Sequence, residues 1–227
     1  MLVNRAQLAF VKGKVQSGAQ PWKGAFDKAK TDPHGSLSYT PHPRAVVGCG
    51  PSSNPNLGCT DERGDVKAAY THVHLPDERW WITEKTGHCS TPSWYGQTTF
   101  VNGVGQETCR DFGHMEWGIF VAIQGAEAAK QQGVDLYGEQ SKRLRDGLEF
   151  HAKYNLGAAV PSWLCGGSVK TANSTAWEIA YNHFSTRYGH SLPNSQRMIT
   201  RLRPTGHTHF MAWETLTHAG VGRVGLP

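Results

Sequence analysis

Two helical patterns follow each other between residues 111 and 157, and they constrain the fold more than any other feature of the sequence. In the first, apolar residues recur on one helical face up to Gly133, a residue placed to end a helix. In the second, Ser141 is placed to cap the start and Gly157 lies where a C′ glycine belongs. The apolar residues of the two faces are Met115, Ile119, Ala122, Ile123 and Ala126, then Leu144, Leu148 and Ala152. These patterns predict two successive helices.

Further helical patterns lie on either side of this pair. Residues 3–30 show helical spacing with a break at 18–21, "TAWE" at Thr175 has the spacing of a capping box, and "NSQRMITRLRP" predicts a helix stopped by Pro204. A last helix is expected in "FMAWETLTHAG", and short helices at 64–73 and 77–86. The apolar stripes comprise Leu8, Val11, Val15, Trp22, Phe26 and Ala29, and later Trp177, Ala180, Tyr181 and Phe184. Since no segment alternates like a strand, we predict a mainly α fold.

The composition is that of a globular protein. The chain has 227 residues, of which 38% are hydrophobic and 18% charged, and we expect a single domain spanning residues 1–227. No stretch approaches the roughly 20 apolar residues of a membrane span, and the first ten residues lack the apolar core of a signal peptide. We therefore expect a soluble protein with no membrane partner.

The charge of the chain favours a polyanionic partner. The formal net charge is +5 and the basic residues are scattered along the sequence. Such a balance suits nucleic acid or an acidic polysaccharide, and it also suits a basic surface that only confers solubility. No basic stripe with interleaved aromatic residues is present, so we do not expect a nucleic-acid partner.

The region before the central helices is predicted to be a long loop. Residues 31–65 are rich in Gly, Pro, Ser and Asn, and "CGPSSNPNLGC" would be closed by a disulfide between Cys49 and Cys59. A disulfide there would indicate an oxidising compartment and thus a secreted protein. The chain has five cysteines, so one thiol stays free unless chains are bridged, and the other pairings are left open.

The first candidate site is "QETCRDFGHMEWG", where the first central helix begins. Asp111 is placed to cap the helix, and Arg110 and His114 are close enough to face one concave surface, with Glu107 nearby. Each residue also has a purely structural interpretation, as a cap, an ion pair or a buried imidazole.

Two more polar groups stand out. "YNHF" places Tyr181, Asn182 and His183 on about 200° of helix, which predicts that Tyr181 points inward while Asn182 or His183 lines an adjacent groove. A core tyrosine with a bonded hydroxyl is the alternative. "RPTGHTHF" contains Arg203 and a histidine pair, His207 and His209, which is a weak metal signal, so we expect no metal or other cofactor.

Several of these motifs resemble one family. "GQETCRDFGHMEWGI", "QQGVDLYGEQSKRLRDGLEFHAKYNLG", "WEIAYNHF" and "RLRPTG" are similar to motifs of the alginate lyase superfamily of helical polysaccharide lyases, in particular its secreted bacterial and fungal branch. The resemblance covers residues 5–47 and about 97–222. Family members have a much longer helical middle, which is shortened here to residues 66–96. The resemblance therefore implies an incomplete α/α toroid.

The resemblance also implies an activity, which is β-elimination on a uronate-containing polysaccharide. That reaction needs a group that offsets the uronate carboxylate, a base for the C5 proton and an acid for the leaving oxygen. The resemblance implies Tyr181 as base or acid and His114 as the second proton-transfer group. It implies carboxylate-facing or orienting roles for Arg110, Asn182 and His183. Further substrate contacts are expected from Asp111, Glu107, Tyr154 and Arg203, with Tyr154 as the reserve phenol.

The leading hypothesis is a secreted, metal-independent lyase that cleaves an anionic polysaccharide of the alginate or glucuronan type. One alternative is a protein with the same fold and no catalytic activity, which is a carbohydrate-binding or structural remnant. A second alternative is a metal-dependent hydrolase that uses His207, His209 and either Glu107 or Glu116. The sequence does not determine the oligomeric state.

Overall fold

The computed structural model describes residues 3–32, 38, 40, 94–172, 177–204 and 213–226. Most of the predicted loop 31–65 and of the shortened middle 66–96 lies outside these residues, as do the helices expected at 64–73 and 77–86 and the Cys49–Cys59 disulfide. The described α-helices are α1 (Arg5–Gln16), α2 (Trp22–Ala29), α3 (Phe112–Lys130), α4 (Leu136–Asn155), α5 (Trp177–Tyr181), α6 (Pro193–Leu202) and α7 (Glu214–His218). A 3₁₀ turn spans Cys165–Gly167 and a π-helix spans Asn182–Arg187.

The two central helices form an antiparallel pair at the centre of the fold. α3 packs on α4, and the predicted apolar residues of both helices are almost completely buried. At one end of the pair Asn155 donates a hydrogen bond to Glu116, and at the other the Tyr137 hydroxyl donates to the carbonyl of Ile123. Burying a side chain such as Leu148 contributes about 1.5–3 kcal/mol, so this stripe supplies much of the stability. The two-helix prediction is confirmed.

The start of α4 differs from the prediction. The helix begins at Leu136, capped by Asp135, whose side chain accepts from the Gly138 N–H. Gln140 interrupts it with non-helical backbone angles of φ −123° and ψ 17°. The capping signal at Ser141 therefore marks the point where regular helix resumes after the interruption. Gly157 follows the helix with φ 88°, as its position predicts.

The N-terminal helices pack against the C-terminal end of the chain. α1 begins with a capping box formed by Asn4 and Gln7, and both α1 and α2 contact α7. The indole of Trp22 donates to the carbonyl of Ala219 over 2.9 Å. Val11 is buried, whereas Leu8, expected on the same apolar face, is 50% exposed. The two helices and the break between them are confirmed.

The remaining helices pack on the central pair. α5 packs on α3, α6 and α7, and α6 also packs on α4. α6 starts at Pro193, one residue before the predicted segment, and ends before Pro204, as predicted. Thr175, the first residue of the predicted capping box, lies outside the described residues. Within the described ranges the protein is helical and has no strand, which confirms the mainly α class. The toroid stays a prediction.

None of the helices described is long and apolar enough to cross a membrane.

Candidate functional site

The N-terminus of α3 presents a carboxylate–imidazole pair. Asp111 has extended backbone angles and caps the helix: its Oδ1 accepts from the His114 N–H over 2.9 Å. Its Oδ2 accepts from the His114 ring Nδ1 over 2.7 Å. Burial alone would raise the pKa of Asp111, but the hydrogen bonds from His114 outweigh it and lower that pKa. The His114 side chain is 45% exposed, so the pair faces solvent.

Arg110 and Glu107 lie beside this pair. The Arg110 guanidinium is 3.4 Å from a carboxylate oxygen of Glu107, and its charge acts on Asp111. The phenol of Tyr95 also lies beside Arg110. Desolvation would lower the pKa of Arg110, and the charge of Glu107 and the Tyr95 phenol outweigh it and raise that pKa. The structure thus brings together the four residues expected in "QETCRDFGH" and adds a tyrosine to them.

A disulfide holds the segment that carries these residues. Cys109, directly before Arg110, is bonded to Cys165 in the 3₁₀ turn. Gln97 links the turn of Tyr95 to the same place, because its Oε1 accepts from the Cys165 N–H over 2.8 Å. The preceding loop lies against α4 at Gly103, whose φ is 93° and where a Cβ would come within 2.4 Å of the Asp146 carbonyl oxygen. Only glycine fits that close approach.

A buried hydrogen-bonded chain supports the same loop from below. Gly105 N–H donates to the Thr108 hydroxyl, which donates to His151 Nε2 over 3.0 Å. The opposite ring nitrogen of His151 donates to the Gly147 carbonyl over 2.7 Å. Burial lowers the pKa of His151 to about 4, so the ring is neutral and accepts from Thr108. His151 was not predicted as part of the site, and it has a structural role here.

Asn182 and His183 lie elsewhere and are buried. Their relative exposures are 0% and 4%, whereas Tyr181 is half-buried, which is the reverse of the predicted arrangement. The reason is the π-helix from Asn182 to Arg187, since its wider turn changes which side chains face the core. Asn182 accepts from the Gly222 N–H over 3.2 Å. The His183 ring stacks on Tyr137 at 3.5 Å, and burial lowers the pKa of His183 to about 3.

The π-helix ends in a buried ion pair. Arg187 makes two hydrogen bonds of 2.8 Å to the carboxylate of Glu127, and His218 lies 3.7 Å from the same group. Burial alone would raise the pKa of Glu127, but His218 and Arg187 outweigh it and hold that pKa well below its usual range. These paired groups are fully buried and join α3, the π-helix and α7, which makes them structural.

Tyr181 and Arg203 are neighbours but form a separate group. Arg203 makes two hydrogen bonds to the carboxylate of Glu178, one of them over 2.8 Å, and the Tyr181 phenol lies near its guanidinium. The hydrogen bonds that Arg203 donates to Glu178 raise the pKa of Arg203. Tyr154, expected to contact substrate, is instead buried with Phe112 and Leu164 in a second apolar cluster.

The rise of α3 and the contacts along it indicate where the His114 group lies relative to the groups that contain His183 and Tyr181. α3 rises about 1.5 Å per residue, so Glu127, close to His183, lies about 20 Å along the axis from His114. Trp177 packs on Phe120 and Arg187 pairs with Glu127, so the segment that carries Tyr181 runs away from the N-terminus of α3. Between described residues, no hydrogen bond, ion pair or ring contact joins the His114 group to the Tyr181 group.

A shallow groove of about 420 Å³ lies at the α4–α6 contact. Leu156, Gln196, Arg197, Thr200 and Arg201 line it. Arg201 donates to the Asn155 carbonyl over 3.2 Å. The lining suits an anion but includes neither a carboxylate nor an imidazole, so it lacks a proton-transfer pair.

In the described ranges no three His, Cys, Asp or Glu side chains are grouped to hold a metal ion. His207 and His209, the predicted histidine pair, lie outside those ranges.

Compared with protein-family models, with curated proteins and with solved structures, the chain shows no match. The resemblance to alginate lyases therefore rests on the quoted motifs.

Tyr95 is the residue of this group that the sequence motifs do not predict. The local signal is the aromatic pair "WY" beside Gly96, at the end of the predicted shortened middle. Nothing local to that segment shows that it meets Arg110, which is fifteen positions later in the chain. The contact is a consequence of the loop closing on the 3₁₀ turn.

Proposed function

We propose that this protein is a polysaccharide lyase that cleaves a uronate-containing polymer by metal-independent β-elimination at the N-terminus of α3. The observation that carries the proposal is the exposed His114 ring, hydrogen-bonded over 2.7 Å to Asp111, a carboxylate on which the charge of Arg110 also acts. A base held by a carboxylate, next to a guanidinium, meets two of the three needs of the reaction.

The base in this proposal is His114. A carboxylate only accepts hydrogen bonds, so Nδ1 of the ring carries the proton that Asp111 binds, and in the neutral ring Nε2 then has the free lone pair. Nε2 takes the C5 proton of the uronate, and the electrons of the C5–H bond form the C4=C5 double bond. The C4–O bond breaks with its electrons on the leaving oxygen, which takes a proton from an acid.

Arg110 offsets the carboxylate in this proposal. A guanidinium binds a carboxylate through parallel N–H groups and stabilises the charge that develops when C5 is deprotonated. The acid in this proposal is a tyrosine. The net charge of +5 and the basic groove at Arg197 and Arg201 are consistent with an anionic polymer as substrate.

Secretion is part of the same proposal. Disulfides persist in oxidising compartments, and the Cys109–Cys165 disulfide supports the segment that carries Arg110 and Asp111. A polymer-degrading enzyme of this kind acts outside the cell, where its substrate is found.

The test is an absorbance assay for unsaturated uronate on alginate, glucuronan and other polyuronates, with and without chelator. We expect a chelator-resistant signal that His114→Gln reduces about a hundredfold to ten-thousandfold, because general base catalysis contributes that much. His190→Gln is the matched control, because His190 is a partly exposed histidine beside Phe184, far from α3's N-terminus. An unchanged rate in the His114 variant contradicts the proposed base, and no signal on any polyuronate contradicts the activity.

A binding role without catalysis is the second candidate. It is favoured by the contacts of the described residues, because no hydrogen bond, ion pair or ring contact joins the His114 group to Tyr181, although the family resemblance assigns both residues to one reaction. If the protein only binds, we expect it to be retained on immobilised polyuronate and to form no unsaturated product. Retention together with product formation would exclude it.

A further inference from the structure

We propose that Tyr95 is the catalytic acid of this site, the group that protonates the leaving oxygen. The inference rests on the lyase function proposed above and assigns the role to a residue other than Tyr181. It starts from the position of the Tyr95 phenol, which is beside Arg110 and therefore in the group that contains Asp111 and His114.

The backbone of Tyr95 is in an unfavourable conformation. Its φ is 50°, in the left-handed region that bulky residues seldom adopt, and 47% of the residue is exposed to solvent. Because the side chain is exposed, its burial contributes little stabilisation to offset the cost of this backbone conformation. Such strain concentrates at active sites, where the surrounding structure imposes it.

Three contacts impose the conformation. Trp94 packs edge-to-face on Phe100 with ring centroids 4.8 Å apart, and the Gln97 N–H closes the turn by donating to the Trp94 carbonyl over 2.9 Å. The Gln97 side chain then accepts from the Cys165 N–H. Because Cys165 is bonded to Cys109, the residue before Arg110, one anchor positions both Tyr95 and Arg110.

A proton from Tyr95 completes the proposed elimination. His114 Nε2 accepts the C5 proton, the C4=C5 double bond forms, and the C4–O bond breaks. The Tyr95 O–H gives its proton to the departing oxygen, which leaves a phenolate beside the Arg110 guanidinium, where the cation stabilises it. The imidazolium and the phenolate are both exposed, so water carries the proton from one to the other and restores the starting state.

Tyr181 is less suited to this step. Its phenol lies near Arg203, whose guanidinium is already held by two hydrogen bonds to Glu178. Tyr181 lies on a segment that packs along α3 from Phe120 toward Glu127, away from the N-terminus of that helix, whereas two groups that act on adjacent carbons of one sugar must lie close together.

The experiment compares Tyr95→Phe and Tyr181→Phe, with Tyr188→Phe as the matched control. Tyr188 is 40% exposed and lies against His183, away from the N-terminus of α3. Each variant is assayed on the polyuronate that the wild-type protein cleaves and on a synthetic uronide with a nitrophenyl ether at C4. Nitrophenolate leaves without protonation, so the loss of an acid is harmless on that substrate. Circular dichroism and urea denaturation check that each variant folds.

We expect Tyr95→Phe to lose about a hundredfold to ten-thousandfold in rate on the polymer and to keep the wild-type rate on the nitrophenyl ether. His114→Gln should be slow on both substrates, because the base is needed for both. The Tyr181 and Tyr188 variants should be as fast as wild type.

Other results overturn the inference in distinct ways. An unchanged polymer rate in Tyr95→Phe, with His114→Gln inactive, rejects Tyr95 as the acid and leaves the lyase function standing. An equal loss on both substrates makes Tyr95 a positioning residue. A polymer-specific loss in Tyr181→Phe assigns the acid to Tyr181. A wild-type protein that cleaves no polyuronate removes the proposed function and this inference with it.

Discussion

Asp111 shows how a single residue serves both the fold and the proposed chemistry. One carboxylate oxygen caps α3 through the His114 N–H, and the other binds the ring of the same histidine. The first contact satisfies a backbone donor that the helix leaves without a partner, and the second selects the tautomer of His114. The two contacts use different oxygens, so substitution can separate them.

Replacing Asp111 by Asn and by Ala separates these roles. Asparagine is an equally good cap, so Asp111→Asn should unfold at nearly the wild-type urea concentration. Its amide does not offer the ring two carboxylate oxygens, so its rate should fall about a hundredfold or more. Asp111→Ala should lose the same activity and also about 0.5–2 kcal/mol of the free energy of unfolding. Full activity in the Asn variant would limit Asp111 to a capping role.

At the scale of elements, the segment 94–111 depends on distant parts of the chain. It has no helix of its own, and its supports are the Cys109–Cys165 disulfide, the Gln97 contact to Cys165 and the hydrogen bond from Thr108 to His151 on α4. α3 and α4, by contrast, are specified by their own apolar stripes and end signals. The candidate site therefore combines a locally determined helix start with a loop determined by tertiary contacts.

Removal of the Cys109–Cys165 disulfide should affect both stability and the site. The bonded residues are 56 positions apart. In the chain-entropy model, closing a loop of that length raises the free energy of the unfolded chain by about 4 kcal/mol, because it removes conformational entropy. Urea denaturation should show the same loss of the free energy of unfolding in three variants, which are Cys109→Ser, Cys165→Ser and the double variant. Each of them removes the same crosslink. Their lyase rates should also fall together. A double variant that unfolds at the wild-type urea concentration would show that the disulfide contributes nothing.

At the scale of the whole molecule, the core contains ionisable groups whose pKa values are moved far by burial and pairing. His151 and His183 are held neutral in the folded protein, with pKa values of about 4 and about 3 against 6.5 for a free imidazole. Glu127 is held charged by Arg187 and His218. In each case the unfolded chain binds protons at a higher pH than the folded protein does. Acid therefore favours unfolding through all three groups.

Stability should fall as the pH falls below about 6.5. Between that value and about 4, each of the two histidines takes up a proton on unfolding, which costs about 1.4 kcal/mol per pH unit for each histidine. Glu127 adds to the loss below its ordinary pKa of 4.5, because its folded-state pKa is lowered.

Urea denaturation from pH 7.5 to 5 measures the effect, and His183→Phe tests its source. The phenyl ring keeps the stacking on Tyr137 but binds no proton, so the slope of stability against pH should drop by about half. An unchanged slope in that variant, or a wild-type stability independent of pH, would contradict the assignment.

The sequence by itself determined the local features. The local features are the helical stripes of α3 and α4, the Asp111 cap, the end of α6 before Pro204 and the grouping of Glu107, Arg110 and His114. Each follows from residues within a few positions of one another. Helical periodicity, capping and turn preferences act over that range, so they are readable without the fold.

Only the tertiary structure decided the partner of Cys109, the position of Tyr95 beside Arg110, and the burial of Asn182 and His183. Each depends on contacts between segments far apart in the chain, or on a π-helix that departs from the 3.6-residue period. A local pattern does not specify which distant segment supplies the contact, because that choice is made by the packing of the whole core.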